Sequence, residues 1–280
     1  PNTMIVFPPA KINIGLQILR KRDDGYHDLE LSFLKVPFLH DVLEISHAEN
    51  DEFLCEGIPV GRKEDNLVCK AWDAMRGSSG NKSAAIRLHL LKNIPTGSGL
   101  GGGSSDAAYT LKAINAFSHI GLTDKDLTRI ATQLGSDCAF FLQEHACIGY
   151  GRGEELEVWQ PCHRKNLYLV IIVPNVPIST ADAYRGCLPM DGRPHLASLL
   201  QEDISLWKEL IENDFEKTLF PRFPILNQIK KSLYNAGAVY ASLSGSGSAL
   251  FGLFIHEPEI NLLKNLPEGC LIKEGYIAIP

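Results

Sequence analysis

Between Pro95 and Ser105 the chain reads PTGSGLGGGSS, five glycines in eleven residues, directly ahead of a stretch whose apolar residues recur at helical spacing. Glycine reaches backbone conformations closed to other residues, so such a run lets successive N–H groups curl round an anion at the positive end of the following helix. That is phosphate-binding chemistry. The bland alternative is a linker or a tight strand-to-helix turn, for which one or two glycines suffice. A Walker-type loop needs a lysine and a Ser or Thr after its last glycine, and Gly103 is followed by Ser104-Ser105 without one. Gly97, Gly99 and Gly102 satisfy GxGxxG, but a dinucleotide fold sets that motif after a first, buried parallel strand, whereas the strand here alternates and lies well into the chain.

Other residues could act with such a loop. Lys11 and Asn13 stand two apart on one strand face, where the lysine is either a cation aimed at bound phosphates or a solvated surface residue. Asp137 opens a helix beside Cys138, Ala139, Phe140 and Phe141, so its carboxylate is either a helix-dipole charge or a base kept ionised by a cation such as Lys11. Tyr26 and His27 follow a turn and could stack on and hydrogen-bond a planar ring. The segment Ser244 through Ser248, SGSGS, reads equally as a second anion nest and as a tight hairpin.

These residues require particular elements beneath them. Ile12, Ile14, Leu16 and Ile18 alternate with Lys11, Asn13, Gly15 and Gln17, which predicts a half-buried strand over Ala10–Ile18 with Lys11 and Asn13 opposite the core. Asp23-Asp24-Gly25 signals a turn into an antiparallel strand through Leu29, Leu31 and Phe33. Ile86, Leu88 and Leu90 predict a strand ended at Pro95. The helix after the glycine run is expected to be capped by Ser104 or Ser105, to bury Ala108, Leu111, Ile114 and Phe117, and to end near Gly121. A second helix is expected from Thr123 to Gly135, burying Leu127, Ile130 and Leu134. Later come a buried strand, LYLVIIVPNV, helices over Asp203–Asn213 and Pro224–Ala236, and a strand pair flanking SGSGS. The class is α+β with largely antiparallel sheets. The polar patch near Gln160 places a domain boundary between 1–160 and 161–280.

The whole chain bounds these readings. It has 280 residues, 27 Lys and Arg against 33 Asp and Glu, and a net charge of −6, so no summed field draws nucleic acid to it and phosphates must be held by local geometry. Seven cysteines show neither CxxC nor zinc spacing and read as reduced thiols. The first twenty residues lack the apolar core of a signal peptide and no stretch approaches a membrane span, so a soluble cytoplasmic protein with no membrane partner is expected. Oligomeric state is left open.

Taken in order, the opening PPAKINIGLQILRKRDDGYHDLE, Lys92-Asn93-Ile94-Pro95 with the glycine loop, LGSDCAFF, GYGRGEEL and SLSGSGSALFG resemble the GHMP kinase superfamily along the whole chain. The GYH after the first strand resembles the branch whose acceptor is a cytidine-diphosphate-linked sugar alcohol. The resemblance implies a two-domain α+β fold with ATP and acceptor meeting in an inter-domain cleft. It implies that Lys11 and Asp137 are the catalytic pair. It also implies that Pro95, Thr96, Gly97, Ser98, Gly99, Leu100, Gly101, Gly102, Gly103, Ser104 and Ser105 wrap the ATP phosphates with Asn66 and Lys92 near the nucleotide, and that Asn13, Tyr26, His27 and Tyr184 contact the acceptor. The implied product is the acceptor's 2-phosphate, in non-mevalonate isoprenoid precursor synthesis. Mg²⁺ is expected with the ATP, its ligands unassigned, and no tightly bound cofactor. Cys138-Ala139 departs from the family's small apolar residue and proline, which loosens the backbone and leaves the carboxylate. A homoserine or mevalonate kinase is the alternative, sharing the loop without the cytidine-binding GYH. An NAD dehydrogenase and a nucleotide-binding module without catalysis are the other readings.

Overall fold

The structure is a computed structural model, and it describes residues 3–79, 84–160, 165–259 and 266–280. In chain order the first half forms β1 (Thr3–Val6), β2 (Pro9–Ile12), β3 (Leu16–Lys21), β4 (His27–His40), β5 (Val42–His47), β6 (Glu52–Gly57), α1 (Leu67–Ser79), β7 (Ile86–Lys92), α2 (Gly102–Phe117), α3 (Asp124–Leu134) and α4 (Cys138–Leu142). The second half forms β8 (Cys147–Tyr150), β9 (Glu155–Val158), β10 (Lys165–Val173), α5 (Thr180–Tyr184), α6 (Leu196–Leu199), α7 (Trp207–Leu210), α8 (Phe215–Arg222), α9 (Pro224–Asn235), β11 (Tyr240–Leu243), β12 (Leu250–Phe254) and β13 (Leu271–Ile279).

Contacts divide these elements into two compact units, one of Pro1–Ala10, Leu39–Thr96 and Gly101–Glu144, the other of Lys11–Phe38, Gly97–Leu100 and His145–Pro280. The single boundary expected at 160/161 is not where these units part. Strand β3 pairs with β4, and β4 pairs with β8, so both early strands belong with the later residues. Residues 161–164, next to that boundary, and Cys162 with them, lie outside the described residues. The other six cysteines are free thiols.

The first unit is built on a four-stranded sheet of order β1-β5-β7-β6, antiparallel except for the parallel pair of β6 with β7. Alternation on β7 sends Ile86, Leu88, Leu90 and Lys92 inward and Arg87 and Leu91 outward, so Lys92 falls on the core face. Leu43, Ile45, Leu88 and Leu90 pack against Val68, Met75, Leu111 and Ile114 of α1 and α2. Helix α2 begins at Gly102, its cap being Gly101 at φ +71° rather than Ser104 or Ser105, which lie inside the first turn. Its end is also earlier than expected. The chain leaves the helix at Ser118, and His119 takes the left-handed conformation (φ +50°) two residues before Gly121. The α3 start follows its sequence signal, Thr123 and Asp126 forming a reciprocal capping box. Leu127 is buried there, with Ile130 and Leu134 partly buried against the same core.

The second unit holds two antiparallel sheets. One runs β2-β4-β8-β9 with β3 also on β4, and the other β11-β12-β10-β13. Strand β10 is paired on both edges, Ile171 facing Phe251 and Lys273, which accounts for its unbroken apolar sequence. The expected strand over Ala10–Ile18 is interrupted at Asn13–Gly15, and both of its faces are buried. Gly15 sits at φ +81°, and a Cβ there would meet Leu196 at 2.5 Å and Ile211 at 2.7 Å. Ser32 replaces the missing ladder, its Oγ donating to the Ile14 carbonyl and accepting from the Ile14 N–H, both at 2.7 Å. The helix expected over Asp203–Asn213 is reduced to a 3₁₀ turn and α7. Beyond it the chain extends so that Glu212 accepts from the Leu16 N–H and Asn213 bridges Leu16.

Candidate active-site residues

Four of the sequence-predicted nucleotide residues come together in the first unit. A pocket of about 160 Å³ is lined by Asn66, Lys92, Thr96 and Gly103 together with Leu67 and Asp106. Asn66 sits there because its Oδ1 accepts from the Val68 N–H at 2.9 Å, capping the start of α1. Lys92 is held from two sides. Its ammonium donates to Asp106 Oδ2 at 2.7 Å and to Asp41 Oδ2, with all three side chains buried. Burial alone would depress the Lys92 ammonium, but Asp106 and Asp41 outweigh it and hold it above its ordinary value. Burial, with Asp41 as a second carboxylate sharing one cation, pushes Asp106 well above the usual carboxylate range despite Lys92.

This cluster fixes the entry to the glycine run. Asp41 Oδ1 accepts from the N–H groups of Asn93 at 2.5 Å and Ile94 at 2.8 Å, pinning the two residues ahead of Pro95. Gly102 leaves room for it, since a Cβ there would stand 3.2 Å from the Lys92 ammonium. Asp41 and Asp106 were not among the sequence candidates. Asp106 adjoins Ser105 in the motif and could have been picked up from that position, whereas nothing near Asp41 signals its role. Asp106 Oδ1 and Ser105 Oγ are buried without a hydrogen-bond partner. Ser104 instead hydrogen-bonds near Cys138, whose thiol burial pushes up to about 12. Asp137 caps α4 without using its side chain on the helix, and it is half-buried.

The second unit holds the middle of the glycine loop, residues 97–100, against the SGSGS turn. Gly99, at φ +80°, would place a Cβ 2.0 Å from the Ser244 carbonyl oxygen, so glycine is required there. Ser244 Oγ donates to the Gly99 carbonyl at 3.0 Å, and the Ala249 N–H donates to the Ser98 carbonyl at 2.9 Å. SGSGS is therefore the hairpin between β11 and β12, seated on the loop. Lys11 lies beside it. Its N–H donates to Leu100 at 2.9 Å, its ammonium donates to Asn13 Oδ1 at 2.6 Å, and Phe33 presents its ring 5.8 Å away. Asn13 in turn donates to the Ser32 carbonyl at 2.7 Å. Both are buried, which decides against the solvated-surface alternative: residues 97–100 and the SGSGS turn cover that side.

Tyr26, His27 and Tyr184 also belong to this unit. The ring of Tyr184 stacks on His27 with centroids 4.7 Å apart and planes 12° from parallel, and Phe215 meets Tyr184 edge to face at 4.9 Å. An inserted base needs about 7 Å, two contacts of ~3.5 Å, so none fits between His27 and Tyr184 as they stand. Burial, with the Lys21 ammonium behind it, lowers the His27 imidazole below its ordinary value, so the ring is neutral at pH 7. Tyr26 is exposed.

Residues 66–145 match the model of the GHMP kinases N terminal domain and residues 196–268 that of the GHMP kinases C terminal. A 4-diphosphocytidyl-2-C-methyl-D-erythritol kinase from Parabacteroides distasonis is 40% identical over 276 residues, covering 98% of this chain and 100% of its own. Its counterpart from Bacteroides fragilis is 41% identical, covering 92% and 94%. A crystal structure of 4-(cytidine 5'-diphospho)-2C-methyl-D-erythritol kinase superposes with a TM-score of 0.75 at 32% identity, over 89% of this chain and 90% of its own. A homoserine kinase from Cytophaga hutchinsonii reaches a TM-score of 0.70 at 21% identity, over 100% and 98%, a likeness of fold alone. With likeness in sequence running through both ends of the chain, this protein belongs to the GHMP kinases and, within them, to the 4-diphosphocytidyl-2-C-methyl-D-erythritol kinase family.

Proposed function

We propose that this chain transfers the γ-phosphoryl group of ATP to the 2-hydroxyl of 4-(cytidine 5'-diphospho)-2-C-methyl-D-erythritol, a step of non-mevalonate isoprenoid precursor synthesis. The observation that carries this reading is the 40% identity to a kinase of that name across 98% of the chain. Within this reading the family's two domains correspond to residues 1–160 and 161–280. Free thiols and dependence on ATP favour a cytoplasmic setting. No described helix is long and apolar enough to cross a membrane.

Phosphoryl transfer asks the protein mainly for alignment and charge stabilisation. In this reading Asp137 takes the proton from the attacking hydroxyl, and Lys11, oriented by Asn13, stabilises the charge that develops on the transferring group. The backbone from Pro95 to Ser105 receives the phosphates. Asn66 and Lys92 border the nucleotide pocket, where Lys92 acts as a strut under the loop because two carboxylates occupy its ammonium. Asn13, Tyr26, His27 and Tyr184 serve the acceptor. Mg²⁺ accompanying ATP needs only one or two protein oxygens, and the unpartnered Ser105 hydroxyl suits it, with Ser104 engaged near Cys138. That ion would neutralise phosphate oxygens. A coupled ADP-release assay with the cytidine-diphosphate acceptor, homoserine and mevalonate tests the reading. Turnover is expected with the first acceptor alone, and turnover with either of the others in its place would overturn it.

A further inference from the structure

We propose that Arg152 is a positioning residue that fixes the Tyr26 ring and leaves one of its faces for the acceptor's base. The inference rests on the assignment of Tyr26 to the acceptor. Its observations are the geometry of the turn between β8 and β9. That turn carries two glycines in the left-handed region, Gly151 at φ +64° and Gly153 at φ +106°, and is tied to the start of β4 by the Leu29 N–H donating to the Gly151 carbonyl at 2.7 Å. Between the glycines stands Arg152. Glu154 clamps it from the same turn, accepting from the Arg152 N–H at 2.7 Å and from its Nε at 3.1 Å.

So held, the guanidinium carbon lies 4.9 Å from the centroid of the Tyr26 ring, within cation–π distance. The backbone of Tyr26 is fixed separately, its N–H donating to Asp24 Oδ1 at 3.1 Å. The side chain of Tyr26 nevertheless remains 55% exposed, so the guanidinium covers one side of a ring whose remaining surface is open. An aromatic ring immobilised this way loses less freedom when a planar base stacks on it, which is how a pre-ordered contact gains affinity. The arginines nearer in sequence have other partners, Arg20 on Asp28 and Arg22 on Asp24 and Asp28.

The test is a double-mutant cycle read by the KM for the cytidine-diphosphate acceptor, with kcat, the KM for ATP and calorimetric binding of CDP measured alongside. Arg152→Met is expected to raise the acceptor KM and the CDP Kd about twofold to fivefold, the worth of an exposed cation–π contact, with kcat and the KM for ATP unchanged. Arg152→Lys, which keeps the cation, should recover most of that change. Tyr26→Ala should cost about tenfold, and Arg152→Met should add nothing on that background. An effect of Arg152→Met equally large with and without the Tyr26 ring would overturn the inference, as would none at all in the wild-type background. If Tyr26→Ala itself leaves acceptor KM unchanged, the assignment of Tyr26 fails and takes the inference with it.

Discussion

Two strand lysines are nearly equally buried, Lys11 at 3% exposure in one compact unit and Lys92 at 2% in the other, and different side chains hold them. Lys92 sits between two carboxylates that neutralise it and tie β7 to the first turn of α2. The Lys11 ammonium donates to the amide oxygen of Asn13, two residues along the chain. Burying a cation is costly in either case. A lysine whose charge is matched by Asp41 and Asp106 repays that cost in structure.

The largest test of that contrast is chemical. Lys11→Met and Asp137→Asn are each expected to lower kcat by about 10²–10⁴, the worth of a positioned charge or base, while ATP binding by calorimetry is largely kept. Near-normal turnover in Asp137→Asn would remove it as the base, and lost ATP affinity in Lys11→Met would make that lysine a phosphate anchor. Lys92→Met should do the reverse. Leaving two carboxylates buried without their cation, it should cost about 3–5 kcal/mol of stability in urea unfolding. An unchanged urea midpoint in Lys92→Met would remove it as a structural tie.

Smaller effects sharpen it. Gly99→Ala should destabilise by about 2 kcal/mol or more and raise the KM for ATP, because a left-handed alanine is strained and its Cβ would strike the Ser244 carbonyl. Gly25→Ala, at φ +86° with nothing within 4 Å, should cost about 1 kcal/mol and leave that KM alone. The smallest effect concerns His27, whose folded pKa lies below its ordinary 6.5. Above that pH both states are neutral there and it contributes nothing to pH dependence. As pH falls through 6.5 the unfolded chain gains a proton that the folded ring resists, so stability declines. Urea midpoints between pH 7.5 and 5.5 should show this slope in the wild type and lose it in His27→Gln.

The elements carrying these residues were legible wherever a local rule governs. Alternation gave β7 and the β3–β4 hairpin, and the Thr123–Asp126 box placed α3. The position of the glycine loop, between β7 and α2, was legible from composition. Long-range effects were not legible. Lys11 and Asn13 lie on the predicted face, but only the packing of residues 97–100 and 244–247 turns that face inward. Asp41 reaches Lys92 from 51 residues away in sequence, and no spacing rule connects them. Helix α2 starts at Gly102 because Gly101 can adopt a left-handed cap that the nearby serines do not need to supply. Tyr184 shows the same limit, since its contact with His27 joins residues distant in the chain.

The division of the chain has a consequence for how the protein is made. Strand β4 leaves the ribosome early with Leu29, Leu31, Phe33, Leu34 and Val36 destined for burial, but its partner β8 begins only at Cys147. At 5–20 residues per second the wait is roughly 5–20 s. For that interval the edge of β4 at Leu31–Phe33 is without its partner on the nascent chain, a place where holding chaperones or a second chain can bind. The intervening residues are those that make up most of the first unit, which can close while the hairpin waits. Slower translation would lengthen that wait and lower the yield of active protein.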